Sequence, residues 1–439
     1  MSKIGFIFPG QGSQYVGMAE DFINNNSQLR KIMQNFETRN EVNLSDIMIN
    51  GPEEKLKETR FTQPAILFHS IAALRTLQAE LDLDPDFVAG HSLGEFSALV
   101  ANNVLNLEDA MYLVHKRGEY MIKANEGKPF GMAAIIGLDP QKVEEICKKA
   151  SQTDIVIAAN FNTPVQTVIS GSKVGVDKAS HMAKEAGAKR IVPLEVGGPF
   201  HSPLIKKAEQ WLIQEMKNIF FTPSYIPVIS NVDAQPTIHP QKIKENLAKQ
   251  VTSSVRWLES VQFMIDQGVD LFIEFGPQKV LAGMMRKINR KVKVISFGKL
   301  EELETVKSKI IEILKQKFEE AIQRVTIKKE ELNQVLRKIV KEIDNEESKL
   351  ADELKPINFY LKPQSSLMRV LEYVSNNHSD IYIDDREKFQ KDMEEYKNNF
   401  EHAFNIIKRL KESGLETNEM NKRLMDIFFK DINWLLNEE

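Results

Sequence analysis

The chain has 439 residues, 42% of them hydrophobic, with a net charge of −4, which is too long for one compact core and too near charge balance for a nucleic-acid binder. Its single cysteine, Cys147, excludes an internal disulfide and a cysteine-based zinc site. The apolar run at the N-terminus is too short for a signal peptide and no segment approaches bilayer length, so a cytoplasmic protein with no membrane partner is expected.

In chain order, Ile4 to Phe8 reads as a strand and runs into the loop Pro9-Gly10-Gln11-Gly12-Ser13-Gln14. The loop fails as a dinucleotide cradle, because Tyr15 stands where the third glycine belongs and no Gly-Lys-Ser/Thr follows. Gln11, between two glycines at a strand end, could instead aim its backbone N–H at an oxyanion. Ala65 to Leu81 reads as an apolar helix that packs or exposes His69. The apolar run Phe87-Val88-Ala89 then enters Gly90-His91-Ser92-Leu93-Gly94-Glu95, followed by the helix-like Phe96 to Val100. A strand that reverses into a helix so abruptly exposes its central side chain, and Gly90 and Gly94 remove β-carbons that would clash. Ser92 is therefore a candidate nucleophile, with the Leu93 N–H and the helix N-terminus available to an oxyanion. His91 adjoins it but faces away. The helix Leu107 to Ala124 carries Arg117, whose planar fork suits a carboxylate, beside Gly118, which permits close approach of another backbone.

Residues of about 128–196 follow a βαββαβ pattern: strand Gly131 to Ile136, helix Pro140 to Ala150, strands Asp154 to Ala159 and Gln166 to Ser170, helix Val174 to Ala186, strand Arg190 to Leu194. That is a ferredoxin-like insert, and its junction with the larger lobe would form a cleft. Next comes Gly197-Gly198-Pro199-Phe200-His201-Ser202-Pro203, an irregular loop that frees His201 to act as the base for Ser92. Helices Leu204 to Ile219 and Val280 to Ile288 alternate with strands Ile226 to Ser230, Leu271 to Phe275 and Val292 to Phe297, which implies a mostly parallel sheet wrapped by helices. No His/Glu cluster has metal-ligand spacing, so no metal is expected.

The chain changes character near Leu300. Residues 301–439 hold 24 Lys and Arg against 30 Asp and Glu, a net of −6, while residues 1–300 hold the other 34 against 32, and 20 of the 21 glycines lie before residue 300. Apolar stripes such as Val306, Ile310, Ile313, Leu314 and Phe318 predict a C-terminal all-α appendage over 300–439, after an α/β unit over 1–299. Its acidic stripes suggest that it packs on the catalytic unit or docks a partner.

Phe8 to Gln14, Gly90 to Glu95, Arg117, Gly198-Pro199-Phe200-His201-Ser202 and Glu274-Phe275-Gly276-Pro277 together resemble the malonyl-CoA:acyl carrier protein transacylase family, from about Lys3 to Lys299. The resemblance implies an α/β-hydrolase-like core with a ferredoxin-like lobe, and a ping-pong S-malonyltransferase with malonyl-CoA as substrate and no permanently bound cofactor. It implies Ser92 as the acylated nucleophile, His201 as general base, Gln11 and Leu93 as oxyanion donors and Arg117 as clamp for the malonyl carboxylate. Gln250 falls where a backbone carbonyl orients the histidine, and Phe200 where bulk favours malonyl over branched acyl groups. The implied partner is an acyl carrier protein with its phosphopantetheine arm. The free-standing chain and the Gly-Pro-Phe-His-Ser wording lean toward service to polyketide synthase modules, of the trans-acyltransferase type, over fatty-acid synthesis. Two other readings stay open: an acyl hydrolase that strips stalled groups from carrier proteins, against which Arg117 argues, and a noncatalytic scaffold, against which Ser92 and His201 argue.

Overall fold

The computed structural model describes residues 3–81 and 83–317. Residues up to Lys317 form one compact unit; the predicted helical appendage lies, from residue 318 onward, outside the described residues.

The larger sheet combines β1 (Lys3–Phe8), β2 (Phe87–Gly90), β7 (Val228–Ile229), β8 (Pro236–Thr237), β9 (Val269–Phe275) and β10 (Lys293–Phe297) in the order β10-β9-β1-β2-β7-β8. All neighbours are parallel except the short β7–β8 pair. Strand alternation divides its apolar residues between two cores: Phe6, Phe8, Val88 and Ile273 on one face, Ile7, Ala89 and Phe272 on the other. The mostly parallel sheet and its helices are as the sequence predicts.

The small lobe holds β3 (Phe130–Ile136), β4 (Val156–Thr163), β5 (Gln166–Ser172) and β6 (Arg190–Pro193) as an antiparallel sheet in the order β4-β5-β3-β6. Helices Pro140–Ala150 and Lys173–Glu185 cover it, and Cys147 is buried in their shared core. This is the predicted βαββαβ lobe. It is stitched to the larger one where Phe161 N–H donates to the Val255 carbonyl at 2.9 Å and Val255 N–H donates to Ala159 at 2.8 Å.

The structure departs from the sequence reading at several points, and helices Pro240–Gln250 and Trp257–Asp266 have no counterpart in it. Short helices Glu20–Asn25, Ser27–Asn40, Leu44–Ile49 and Glu53–Leu56 fill the stretch between β1 and the long helix. That long helix runs over Thr59–Gln78, starting before Pro64 and not after it. Proline deprives the Arg60 carbonyl of its helical donor, and His115 Nδ1 donates to that carbonyl at 2.9 Å instead. The helix Leu107–Lys123 reaches it closely because a Cβ on Gly118 would stand 2.8 Å from Arg60 Cα. Finally, residues 303–317 form a helix on the stripe that the sequence marks, with Val306 and Ile310 buried in the large core, so the packed unit runs past the expected boundary at residue 299.

Candidate active site

Phe8 and Gly90 are register partners, so the loops after β1 and β2 leave the sheet side by side at its carboxyl end, the usual ligand end of a parallel sheet. His91 N–H donates to the Phe8 carbonyl at 2.9 Å, and the helix Gly94–Ala101 begins immediately. Between them Ser92 is held at φ 54°, a left-handed conformation that L-residues avoid. Asn231, just past β7, brackets this turn. Its Oδ1 accepts from Ser92 N–H at 2.7 Å, and its Nδ2 donates to the Gly90 carbonyl at 2.7 Å.

His201 stands on the loop before the short helix Pro203–Ile205, also in a left-handed conformation, φ 59°. Its Nε2 lies 2.8 Å from Ser92 Oγ and its Nδ1 lies 2.8 Å from the Gln250 backbone carbonyl, at the end of the helix Pro240–Gln250. A carbonyl can only accept, so Nδ1 carries the proton and Nε2 presents a lone pair to the serine hydroxyl. Only 4% of His201 is exposed. Burial, and then the nearby Arg117 charge, push its pKa down from 6.5 to about 3.

Arg117 is 1% exposed. Its Nη2 donates to Ser92 Oγ at 3.1 Å and to Gln250 Oε1 at 2.8 Å, while Nη1 donates to Gln63 Oε1 at 2.8 Å and Nε has no partner. Burial lowers its pKa to about 10, with the Glu95 charge acting the other way, so the guanidinium stays charged at neutral pH. Among the described residues, no carboxylate lies within ion-pair distance of it.

Ser92, His201, Arg117 and Gln250 are thus brought together. Gln11 stands in the adjoining loop after β1, solvent-exposed, with its Nε2 3.5 Å from Thr59 Oγ1. Leu93 stands at the start of the elbow helix with its side chain buried. Among the described residues neither Leu93 nor Gln11 donates its backbone N–H to another protein group. Phe200 is buried in the large core, next to His201. His91 turns toward the small lobe, its Nε2 2.8 Å from Asn162 Oδ1, and His69 is fully buried with neither ring nitrogen bonded.

Sequence reasoning did not single out Gln63, Asn231, the Gln250 side chain or Glu95. Glu95 lies within the quoted elbow motif; the others carry no local signal.

Both His201 and His69, the latter lowered by burial to about 4, have folded values below the unfolded 6.5. Their stabilising contribution is therefore complete above about pH 6.5 and drains as pH falls toward those values. Nitrogen-15 NMR of the imidazoles should find both rings neutral from pH 8 to pH 5. A His201 midpoint near 6.5 would contradict the buried pair.

An α/β fold with a Ser–His pair on a strand-turn-helix elbow and a small antiparallel lobe is that of the serine acyltransferases. The chain belongs to the acyl transferase domain family, whose profile matches residues 5–310. It is 46% identical over 304 residues to a malonyl CoA-acyl carrier protein transacylase of Staphylococcus aureus (strain MRSA252), covering 69% of this chain and 98% of that one. A protein of the same name from Bacillus subtilis (strain 168) is 44% identical over 308 residues, covering 69% and 96%. Among solved structures, the malonyl CoA-acyl carrier protein transacylase of Coxiella burnetii has a TM-score of 0.67 at 37% identity, covering 70% of this chain and 97% of that chain. A malonyl-transacylase solved in complex with its type II polyketide synthase acyl-carrier protein has a TM-score of 0.67 at 36% identity, covering 70% and 100%.

Proposed function

We propose that this protein moves a malonyl group from malonyl-CoA to the phosphopantetheine thiol of an acyl carrier protein through an ester on Ser92. The acyl-transfer unit comprises the predicted 1–299, with its small lobe over about 128–196, together with the helix 303–317 that packs on it. His201 Nε2 takes the Ser92 proton as Oγ bonds to the thioester carbonyl carbon, and the Leu93 and Gln11 N–H groups receive the oxyanion. Collapse breaks the C–S bond, and the imidazolium returns its proton to the departing coenzyme A sulfur. In the second half the carrier thiol gives its proton to His201 and attacks the ester, and Ser92 recovers the hydroxyl proton. The Gln250 carbonyl orients the ring without a permanent charge, and Phe200 narrows the choice of acyl group.

The observation that carries this reading is a buried guanidinium, 3.1 Å from Ser92 Oγ, with no carboxylate at ion-pair distance among the described residues. A buried cation is costly unless paired, and the free carboxylate of a malonyl group on Ser92 would supply the pair, taking the N–H that now rests on Oγ. Intact-mass kinetics with malonyl-CoA and acetyl-CoA test it. Arg117→Ala should slow malonyl loading by about 100-fold, the loss of a buried charged hydrogen bond of about 3 kcal/mol, and slow acetyl loading far less. Equal losses would refute the clamp.

The carrier protein is of the fatty-acid or the polyketide type, and the relatives' activities suit both. The Gly-Pro-Phe-His-Ser wording favours polyketide service. Malonyl transfer to each carrier, measured side by side, separates them. Among the described residues no helix is long and apolar enough to cross a membrane, and the single cysteine suits a reducing, cytoplasmic setting.

A further inference from the structure

Glu95 is a carboxylate in the first turn of the elbow helix, 1% exposed and touching none of the reacting atoms. Its Oε2 accepts from the Asn231 N–H at 3.1 Å and from Gln250 Nε2 at 2.7 Å. Both partners also bond the nucleophile's own backbone: Asn231 Oδ1 accepts from Ser92 N–H, and Gln250 Nε2 donates to the Ser92 carbonyl at 2.9 Å. The other end of the same amide, Oε1, accepts from Arg117 Nη2 at 2.8 Å.

A glutamine amide has one donating and one accepting end, whereas a guanidinium can only donate. Turned over, the Gln250 amide would set its oxygen against Glu95 Oε2 and the Ser92 carbonyl, and its N–H groups against those of Arg117. Three bonds would become three repulsions. The carboxylate and the Ser92 carbonyl together therefore select the one amide orientation that offers Arg117 an acceptor, and that acceptor holds Nη2 beside Ser92 Oγ. Burial pushes the Glu95 pKa up to about 7, opposed by these same hydrogen bonds. The ionised carboxylate offers only acceptors, so the selection is firmest above that value and slackens as the group gains a proton.

We propose that Glu95 is a positioning residue for acyl selectivity, fixing the Arg117 guanidinium at the Ser92 hydroxyl through the Gln250 amide so that acyl groups ending in a carboxylate are preferred. This rests on the malonyl reading above. Outer partners that orient a functional group are commonly worth 10- to 100-fold in the analogous metal sites.

The experiment measures the rate of Ser92 acylation by malonyl-CoA and by acetyl-CoA in the full chain, by intact mass, and takes their ratio. Glu95→Gln keeps the side-chain volume but lets two facing amides pair in more than one orientation. The ratio should fall about tenfold, chiefly through a higher KM for malonyl-CoA. Gln250→Met removes the amide and keeps the backbone carbonyl that His201 uses; it should lower the ratio to a similar extent. The double variant should fall no further, because both changes cut one link.

A ratio within twofold of wild type in Glu95→Gln overturns the proposal, as does an equal fall in both acylation rates, which a merely structural role would produce. If Glu95→Gln does not fold, Glu95→Asp decides in its place: it keeps the charge but draws the carboxylate back from Gln250 Nε2, so a ratio within twofold of wild type there overturns the proposal. Failure of the wild-type chain to prefer malonyl-CoA would sink the parent reading, whereas preserved selectivity in folded variants sinks only this one.

Discussion

Ser92→Ala should leave no acyl adduct after exposure to malonyl-CoA and should cut transfer to the carrier protein by about 10⁴-fold or more. Both halves of the proposed cycle pass through the ester at Oγ, and the elbow offers no substitute: His91, next in the chain, is turned to Asn162, and Ser97 is buried with its hydroxyl unbonded. His201→Ala should come close to the same loss. It removes the acceptor 2.8 Å from Oγ while leaving Arg117 Nη2 donating to that oxygen at 3.1 Å, and a serine that only receives hydrogen bonds has no exit for its proton. The two losses should not add, because nucleophile and base act as a unit. Stopped-flow release of coenzyme A and intact mass together measure both. Adduct formation at a tenth of the wild-type rate in Ser92→Ala would place the chemistry elsewhere.

The parts of this site that were legible in the sequence are those whose chemistry is compressed into a few neighbouring residues. The elbow is one: a short apolar run, two glycines and a serine specify a strand, a tight reversal and a helix start with no help from distant chain. His201 was legible through the glycines and prolines around it. Arg117 could be weighed only as an arginine on an apolar helix face. The role of the Gln250 carbonyl came from family resemblance, since a backbone acceptor leaves no mark on residue type.

Glu95, Asn231 and Gln63 illustrate what local pattern does not carry. Asn231 meets Ser92 across 139 positions, Gln250 meets Glu95 across 155, and Arg117 meets Gln63 across 54. Such polar residues are ordinary surface choices until the topology of β2, β7 and two helices buries them together. The same holds for the start of the helix Thr59–Gln78. Pro64 reads as a boundary, and the helix passes through it because an imidazole from another helix repairs the orphaned Arg60 carbonyl.

Gly90→Ala should destabilise the chain by about 4 kcal/mol or more, at the far end of single-substitution effects, and yield little or no folded protein. A Cβ at Gly90 would fall inside van der Waals contact with the carbonyl of Gly94 and the nitrogen of Glu95, all backbone atoms. No rotamer change relieves that overlap, since the helix start itself would have to move away from β2. Moving it would break the Asn231 bracket on Ser92 and Gly90, and with it the left-handed turn that costs Ser92 about 1–2 kcal/mol to hold. Gly94 closes the other side, where a Cβ would lie 2.9 Å from the Pro9 carbonyl oxygen and nearer still to that of Phe8. Gly12→Ala is the matched control. That glycine has φ 101° but nothing within 4 Å of an added Cβ, so it should cost only about 1 kcal/mol of backbone strain. Thermal unfolding of the three proteins separates crowding from conformation: a Gly90→Ala midpoint as close to wild type as that of Gly12→Ala would mean that the elbow tolerates a wider turn. The serine would then not be held in place by close packing of strand on helix.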